Sequence, residues 1–293
     1  MFNKTTLETK RILVTGAGTG LGKEISLGFL RSGAEVYICG RRESVLKATC
    51  EELNEVAPGK IHYRVCDIRS PDSIEEMIES IFAEGPLTGL INNAAANFIA
   101  PTKDLSPRGY EAIRSTVMDG SFYTVLAIGK RWIKLGMTGS IVSNLVTWVF
   151  TGSAYVVPSA MSKTAIDAMT KSLAVEWGQY GIRVNAVAPG PFPTEGAWDK
   201  LNPTGKSTGA TDSSSVPMRR YGKMDELRNL MIFLQADGCE YLTGQTIAID
   251  GGHHLAAPST FASLCDLSDD DWKSIKDSIK ASAEKEKAER SIG

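Results

Sequence analysis

The sequence predicts an α/β fold: one doubly wound parallel-sheet domain over residues 1–257, followed by a helical extension at 258–293. Three observations predict it. Short apolar runs of strand length, starting with Ile12 to Val14, alternate with helical patterns. The glycine stretch Thr15-Gly16-Ala17-Gly18-Thr19-Gly20-Leu21-Gly22 joins the first run directly to a helix. No Pro/Ser-rich linker or internal repeat divides the 293 residues. Such alternation makes a parallel sheet with its ligand at the carboxyl ends of the strands.

Glycines at the first turn let the backbone approach a ligand and take φ > 0 without strain, and the next helix offers free N–H groups to a pyrophosphate. The spacing is TGxxxGxG, with Leu21 in the place of the third glycine of GxGxxG. Thr15, Gly16, Gly18, Thr19, Gly20 and Leu21 are therefore candidate dinucleotide contacts; the alternative is an ordinary tight turn. In the helix, Ile25, Phe29 and Leu30 mark a buried face, and Glu35 to Cys39 reads as a second strand ended by Gly40-Arg41-Arg42. An NAD site usually presents a carboxylate there, whereas arginine holds a 2′-phosphate. That favours NADP, held by Arg41 and Arg42, over two solvated arginines opening a helix. Ile61 to Cys66 is a third strand, followed by Asp67 and Ile68, and Leu90-Ile91 a fourth, followed by Asn92-Asn93-Ala94-Ala95. Asp67 is either a ligand contact or a helix N-cap.

Further on, a core helix passes Lys163 with Met161, Ala165, Ala168, Met169 and Leu173 as its apolar side, and runs to Trp177 and Gly178. Its lysine either snorkels to solvent or serves the site. Gly181 to Val187 is a sixth strand; after it, Pro189-Gly190-Pro191-Phe192-Pro193 is a stiff loop whose glycine is placed to face a nicotinamide, with Thr194 to bond its amide. Glu195 to Val216 is polar and without period, which reads as a lid or a disordered surface loop. A helix from Met224 to Leu234 and a strand from Thr246 to Ile249 close the sheet, and Asp250-Gly251-Gly252 turns outward. In the extension, Ser268-Asp269-Asp270-Asp271 has capping-box form and Trp272, Ile275 and Ile279 share a helix face, before a Lys/Glu-rich tail that frays.

Composition narrows the function. A net charge of −2 and a pI near 6.0 give no electrostatic footprint for nucleic acid. The apolar runs fall short of a membrane span, and a first strand starting at about Arg11 leaves no room for a cleaved leader. Cys39, Cys50, Cys66, Cys239 and Cys265 are scattered reduced thiols, and His253 and His254, with only His62 elsewhere, make no metal site. The cytoplasm is the expected location.

The TGxxxGxG turn, Asp67, Asn92-Asn93-Ala94, Lys163 and Pro189-Gly190 with Thr194 together resemble a short-chain dehydrogenase/reductase over residues 10 to 252, a Rossmann-type sheet. Within that superfamily, Asn97-Phe98-Ile99-Ala100-Pro101, Val156-Val157-Pro158-Ser159-Ala160, Ser172-Leu173-Ala174-Val175-Glu176-Trp177-Gly178 and Leu201-Asn202-Pro203-Thr204-Gly205 resemble the mitochondrial type of 2,4-dienoyl-CoA reductase. The resemblance implies an NADP(H) site in which Asp67 contacts the adenine, Asn92 the cofactor backbone and Lys163 the nicotinamide ribose hydroxyls. Asn93, Ala94, Ala95, Pro189, Gly190, Phe192 and Thr194 join it. It also implies a small acyl-CoA-like substrate beneath residues 195–216, and a homodimer or homotetramer paired through the last strand and the two long helices.

The catalytic pattern departs from the family. Four residues before the lysine, where the family triad has a tyrosine, stands Ser159, and the preceding serine falls on Val146. Dienoyl-CoA reductases of this type also carry serine there and use a tyrosine after strand five, whose place is taken by Trp148. An indole N–H donates a hydrogen bond but relays no proton. Tyr155, the nearest phenol, would stand roughly 12 Å from Lys163 along a helix. Asp119 precedes Gly120 where mitochondrial-type enzymes have asparagine, as an ionised carboxylate, a protonated donor or a salt-bridged helix residue. Ketone reduction makes an alkoxide that needs a full proton, whereas reduction of a conjugated thioester makes a delocalised dienolate that preorganised donors stabilise. The expected activity is hydride transfer from NADPH to an unsaturated acyl-CoA, with Trp148 and Ser159 as donors and water or Tyr155 supplying the α-proton. Two alternatives are a reductase of another carbonyl or alcohol, and a dinucleotide-binding protein without catalysis.

Overall fold

The computed structural model describes residues 2–97, 99–194, 213–256, 267–275 and 277. Each apolar run is a strand: β1 (Arg11–Thr15), β2 (Glu35–Gly40), β3 (Ile61–Val65), β4 (Gly89–Asn92), β5 (Gly139–Asn144), β6 (Ile182–Pro189) and β7 (Thr246–Ile249). Every pairing is parallel, in the order β3-β2-β1-β4-β5-β6-β7. The winding reverses between β1 and β4, where a crevice opens at the carboxyl ends.

The helices are α1 (Gly20–Arg31), α2 (Glu43–Asn54), α3 (Pro71–Glu84), α4 (Pro107–Arg114), α5 (Gly120–Leu135), α6 (Trp148–Thr151), α7 (Val157–Trp177), α8 (Met224–Gln235) and α9 (His253–Ala256). Two apolar layers cover the sheet. Ile12 and Val14 pack with Ile25 and Phe29 of α1 and Leu227 and Met231 of α8. Between them Leu13 points the other way, to Ile74 and Ile78 of α3 and Ile128 and Trp132 of α5. Successive strand side chains face opposite sides, so a run apolar at every position is one covered on both.

The lysine helix differs from its expected face. Met161 and Ala168 of α7 are exposed, while Ser159, Ser162, Lys163, Ile166, Asp167 and Thr170 are buried. Polar atoms on the buried side find partners: Thr246 Oγ1 donates to Asp167 Oδ1 at 2.5 Å, and Ser162 and Thr170 bond carbonyls one turn back. The chain divides into two units, Met1–His254 and Leu255–Gly293. In the second, a helix at 269–275 is capped reciprocally: Asp271 N–H donates to Ser268 Oγ at 3.2 Å and Ser268 N–H to Asp271 Oδ2 at 2.9 Å. Ile279 and Cys265 lie outside the described residues. No described helix is long and apolar enough to cross a membrane.

Candidate active site

The glycine turn is built for close approach. Gly16 has φ +65°, and a Cβ there would lie 2.7 Å from the Ala94 Cα; a Cβ on Gly18 would meet Val45 at 3.0 Å. Thr49 Oγ1 donates to the Gly18 carbonyl at 2.8 Å, which fixes the loop from below. Thr19, at the N-cap of α1, is extended and gives no side-chain cap, and the first turn holds no acid. Helix N–H groups left thus are an anion site. The cleft in front is lined by Gly16, Gly18, Thr19, Arg41, Arg42, Asp67, Ile68, Ala94 and Ala95, all of them expected, and by Val45, Leu46 and Thr116. Arg41 and Arg42 are exposed, with no ion pair among the described residues. Asp67 is not a helix cap, since Ser70 accepts from Ser73 N–H at α3. Arg69 clasps it at 2.9 and 2.5 Å, and the hydrogen bonds hold its carboxyl below the usual range despite partial burial.

A hydrogen-bonded path runs from the turn to the lysine. Thr15 Oγ1 accepts from the N–H groups of Asn93 and Ala94, each at 3.0 Å. Asn93 Nδ2 donates back to the Thr15 and Gly16 carbonyls at 3.0 and 3.3 Å, and takes the place a Gly22 side chain would fill. Asn144 Nδ2, at the end of β5, donates to Asn93 Oδ1 at 2.9 Å, and Lys163 Nζ donates to the Asn144 carbonyl. Lys163 is 8% exposed, and burial lowers its pKa to about 8. It is therefore no snorkelling lysine. Asn92, beside this path, is buried with both side-chain polar atoms unpartnered, as suits a residue that serves the sheet end and its ligand. An uncapped helix end, a cradle too tight for side chains and unpaired arginines together fit a phosphorylated dinucleotide.

Comparison with known proteins places the chain in a family. Residues 16–254 match the family model described as enoyl-(acyl carrier protein) reductase. A probable 2,4-dienoyl-CoA reductase of Caenorhabditis elegans is 36% identical over 288 residues, 95% of this chain and 92% of its own. A short chain dehydrogenase from Bacillus anthracis has a crystal structure that matches at a TM-score of 0.76 and 38% identity, over 84% of this chain and 97% of its own. The chain belongs to the short-chain dehydrogenase/reductase family. A further structure, gluconate 5-dehydrogenase from Burkholderia cenocepacia in complex with NADP and tartrate, matches at 0.78 and 27% identity, over 86% of this chain and 97% of its own.

Within this short-chain dehydrogenase/reductase the remaining candidates separate. Ser159 and Lys163 share a buried face of α7 one turn apart, and Ser159 makes no side-chain hydrogen bond among the described residues. Trp148 opens α6, which packs on α7; it is half-buried and its indole N–H has no described partner. Asp119 ends a π-helical turn, Ser115–Asp119, that also packs on α7, and pairs with Arg114 at 2.6 Å. Of its three readings, the salt-bridged one fits. Tyr155 has φ +64° and is 59% exposed, with its carbonyl accepting from Ala100 N–H at 2.9 Å. Its ring stands at a rim.

After β6, Gly190 is small because Asp250 abuts it, with a Cβ 2.5 Å from the Asp250 Cβ. The Phe192 ring packs against Gly222 in the core, and Leu21 joins the same layer. Thr194 Oγ1 would lie 3.7 Å from a Cβ on Gly20, so the threonine hangs over the glycine turn. Residues 195–212, the expected lid with Leu201 to Gly205, and Phe98 lie outside the described residues. Sequence reasoning missed Asn144, Arg69 and Arg114. Arg69 is two residues from Asp67 and Arg114 five from Asp119, spacings that a search for oppositely charged partners would have found; Asn144 acts through its carbonyl, which no side chain reveals.

Proposed function

We propose that this oxidoreductase reduces an unsaturated acyl-CoA thioester, 2,4-dienoyl-CoA in type, with NADPH. The carrying observation is the environment of Lys163: Ser159 one turn away and, on the neighbouring helix, the indole N–H of Trp148 with no partner among the described residues, while Tyr155, the phenol nearest in sequence, is on an exposed rim. Such a site offers hydrogen bonds to a carbonyl oxygen without a full proton donor. That suits a dienolate better than an alkoxide. The nicotinamide supplies hydride when bound. Gly16, Gly18 and the α1 N-terminus would hold the pyrophosphate, Arg41 and Arg42 the 2′-phosphate, Asp67 the adenine and Lys163 the ribose hydroxyls. Trp148 and Ser159 hold the thioester oxygen as charge gathers there, and water entering past Tyr155 returns the α-proton. The named C. elegans relative and the NADP complex of the Burkholderia enzyme support this reading.

A homodimer or homotetramer in the cytoplasm completes it; exposed Phe122 on α5 and Met161 and Val175 on α7 offer the apolar surface for pairing. Mixing purified protein, NADPH and 2,4-hexadienoyl-CoA should bleach the nicotinamide absorbance, with the rate lost in Lys163→Ala. Bleaching with ketones but not with the thioester would select the alternative of a carbonyl reductase, and binding without any turnover a non-catalytic protein.

A further inference from the structure

The turn after β7 carries a cluster that the reaction above leaves unused. Asp250, whose side chain is 4% exposed, spends both carboxylate oxygens on it: Oδ1 accepts from Gly252 N–H at 2.9 Å, and Oδ2 accepts from His254 N–H at 2.8 Å and from its ring Nδ1 at 2.7 Å. An anion there keeps the proton on Nδ1 and fixes the plane of the ring. Gly251 and Gly252, at φ +64° and +83°, make the reversal that brings His254 back to Asp250. Their bare α-carbons face Val216 and Pro217, while Asp250 itself presses on Gly190. The turn that carries Asp250 thus packs on the loop after β6 and on the segment entering α8.

The imidazole so fixed lies on α6. Its ring is 4.8 Å from the Phe150 ring, centroid to centroid, with 31° between planes. Helix α6 has four residues, Trp148 to Thr151, with no side-chain cap at either end. One turn is too short to be stable alone and takes its position from what packs on it. Phe150 is half-exposed, and the imidazole is the one aromatic ring paired with it among the described residues.

We propose that His254, oriented by Asp250, is a positioning residue that clamps α6 through Phe150 and so sets where the Trp148 indole N–H stands against the thioester oxygen. The inference rests on the reading of Trp148 as a donor. A group displaced by about 1 Å loses up to about a hundredfold in rate, so the clamp acts on kcat more than on cofactor binding.

Acrylamide quenching of Trp148, taken as the difference between each variant and its Trp148→Phe counterpart, reads the clamp without any turnover. In His254→Ala the quenching of Trp148 should rise and kcat with 2,4-hexadienoyl-CoA should fall about tenfold or more, while the NADPH Kd stays that of the wild type. His254→Phe, which keeps a ring on Phe150, should restore the protected Trp148, and Asp250→Asn should lose part of it. Unchanged quenching in both His254→Ala and Asp250→Asn overturns the clamp. Raised quenching in a protein that turns over no thioester, wild type included, supports the clamp and counts against the reductase reading instead.

Discussion

Lys163 shows how a buried ammonium weakens the fold that holds it. Its ammonium is almost wholly buried against one carbonyl, and desolvation brings its pKa from 10.5 to about 8. A lysine whose folded value lies below its unfolded one costs stability at neutral pH, a cost that fades as pH rises from about 8 toward 10.5. The shift corresponds to about 3 kcal/mol. Lys163→Met should therefore raise the unfolding free energy at pH 7 by up to about 3 kcal/mol and weaken NADPH binding about tenfold or more. Urea melts of both proteins at about pH 7 and about pH 10 check it, since the gap must shrink at the higher pH. A gap that stayed constant would mean the ammonium is well solvated. The exposed arginines give a second test. Charge-assisted bonds are each worth about 1.5–3 kcal/mol, so the double variant Arg41→Ala, Arg42→Ala should cut the preference for NADPH over NADH on the order of a hundredfold. Titrating both nucleotides decides it; equal loss of both would show that the arginines act on the shared pyrophosphate.

Between residues and molecule stand the short elements around the candidate site. The π-helical turn Ser115–Asp119 joins α4 to α5 and packs on α7, and π turns inside longer helices recur at functional sites. Arg114 holds the carboxylate of Asp119 across it. Arg114→Ala should reduce kcat on 2,4-hexadienoyl-CoA about tenfold by leaving a charge of one sign beside a developing enolate, and Asp119→Asn in that background should restore most of it. A double-mutant cycle measures the coupling; strictly additive losses would remove the pair from the mechanism. The same scale explains what was legible in the sequence. Strands β1, β2 and β4 read clearly because burial on both faces makes their middles apolar, and the glycine turn because close approach admits no side chain. Helix α7 did not: its buried side carries Ser159, Lys163, Asp167 and Thr170, and a search for apolar periodicity takes those for a solvated face and Met161 for a core residue. Polar residues are buried there because the helix faces a site and because Asp167 meets Thr246 on β7. The burial of Asp250, expected to turn outward with its two glycines, escaped notice for a related reason, since its partners lie along a glycine reversal whose geometry the letters do not show.

At the scale of the whole molecule, a parallel sheet separates function from support. Every strand ends at the same side, so the glycine turn, Asn93, Asn144 and the Asp250 turn gather there without any long excursion of the chain. The opposite side holds a cluster of different purpose. Tyr37, 1% exposed, places its hydroxyl 2.8 Å from the Glu84 carboxylate and 3.0 Å from that of Glu35, and accepts from Arg11, whose Nε bonds Glu35 at 2.8 Å. Arg11 and Glu35 are the first residues of β1 and β2, and Glu84 the last of α3, so the cluster binds the sheet to one helical layer at its amino end. Tyr37→Phe removes the hydroxyl and leaves two carboxylates and a guanidinium short of a partner, which costs about 1–3 kcal/mol. The rings of Tyr37 and His62 stay stacked, so no cavity adds to this. Because the cluster and the cofactor cleft sit at opposite strand ends, NADPH affinity should not follow the loss. Urea denaturation of the apo protein should show the lower stability, and fluorescence titration with NADPH at a temperature where both proteins are folded should give matching Kd values. A Kd that weakens in step with stability would mean that the two ends of the sheet open together, and the division of labour argued from the topology would fail.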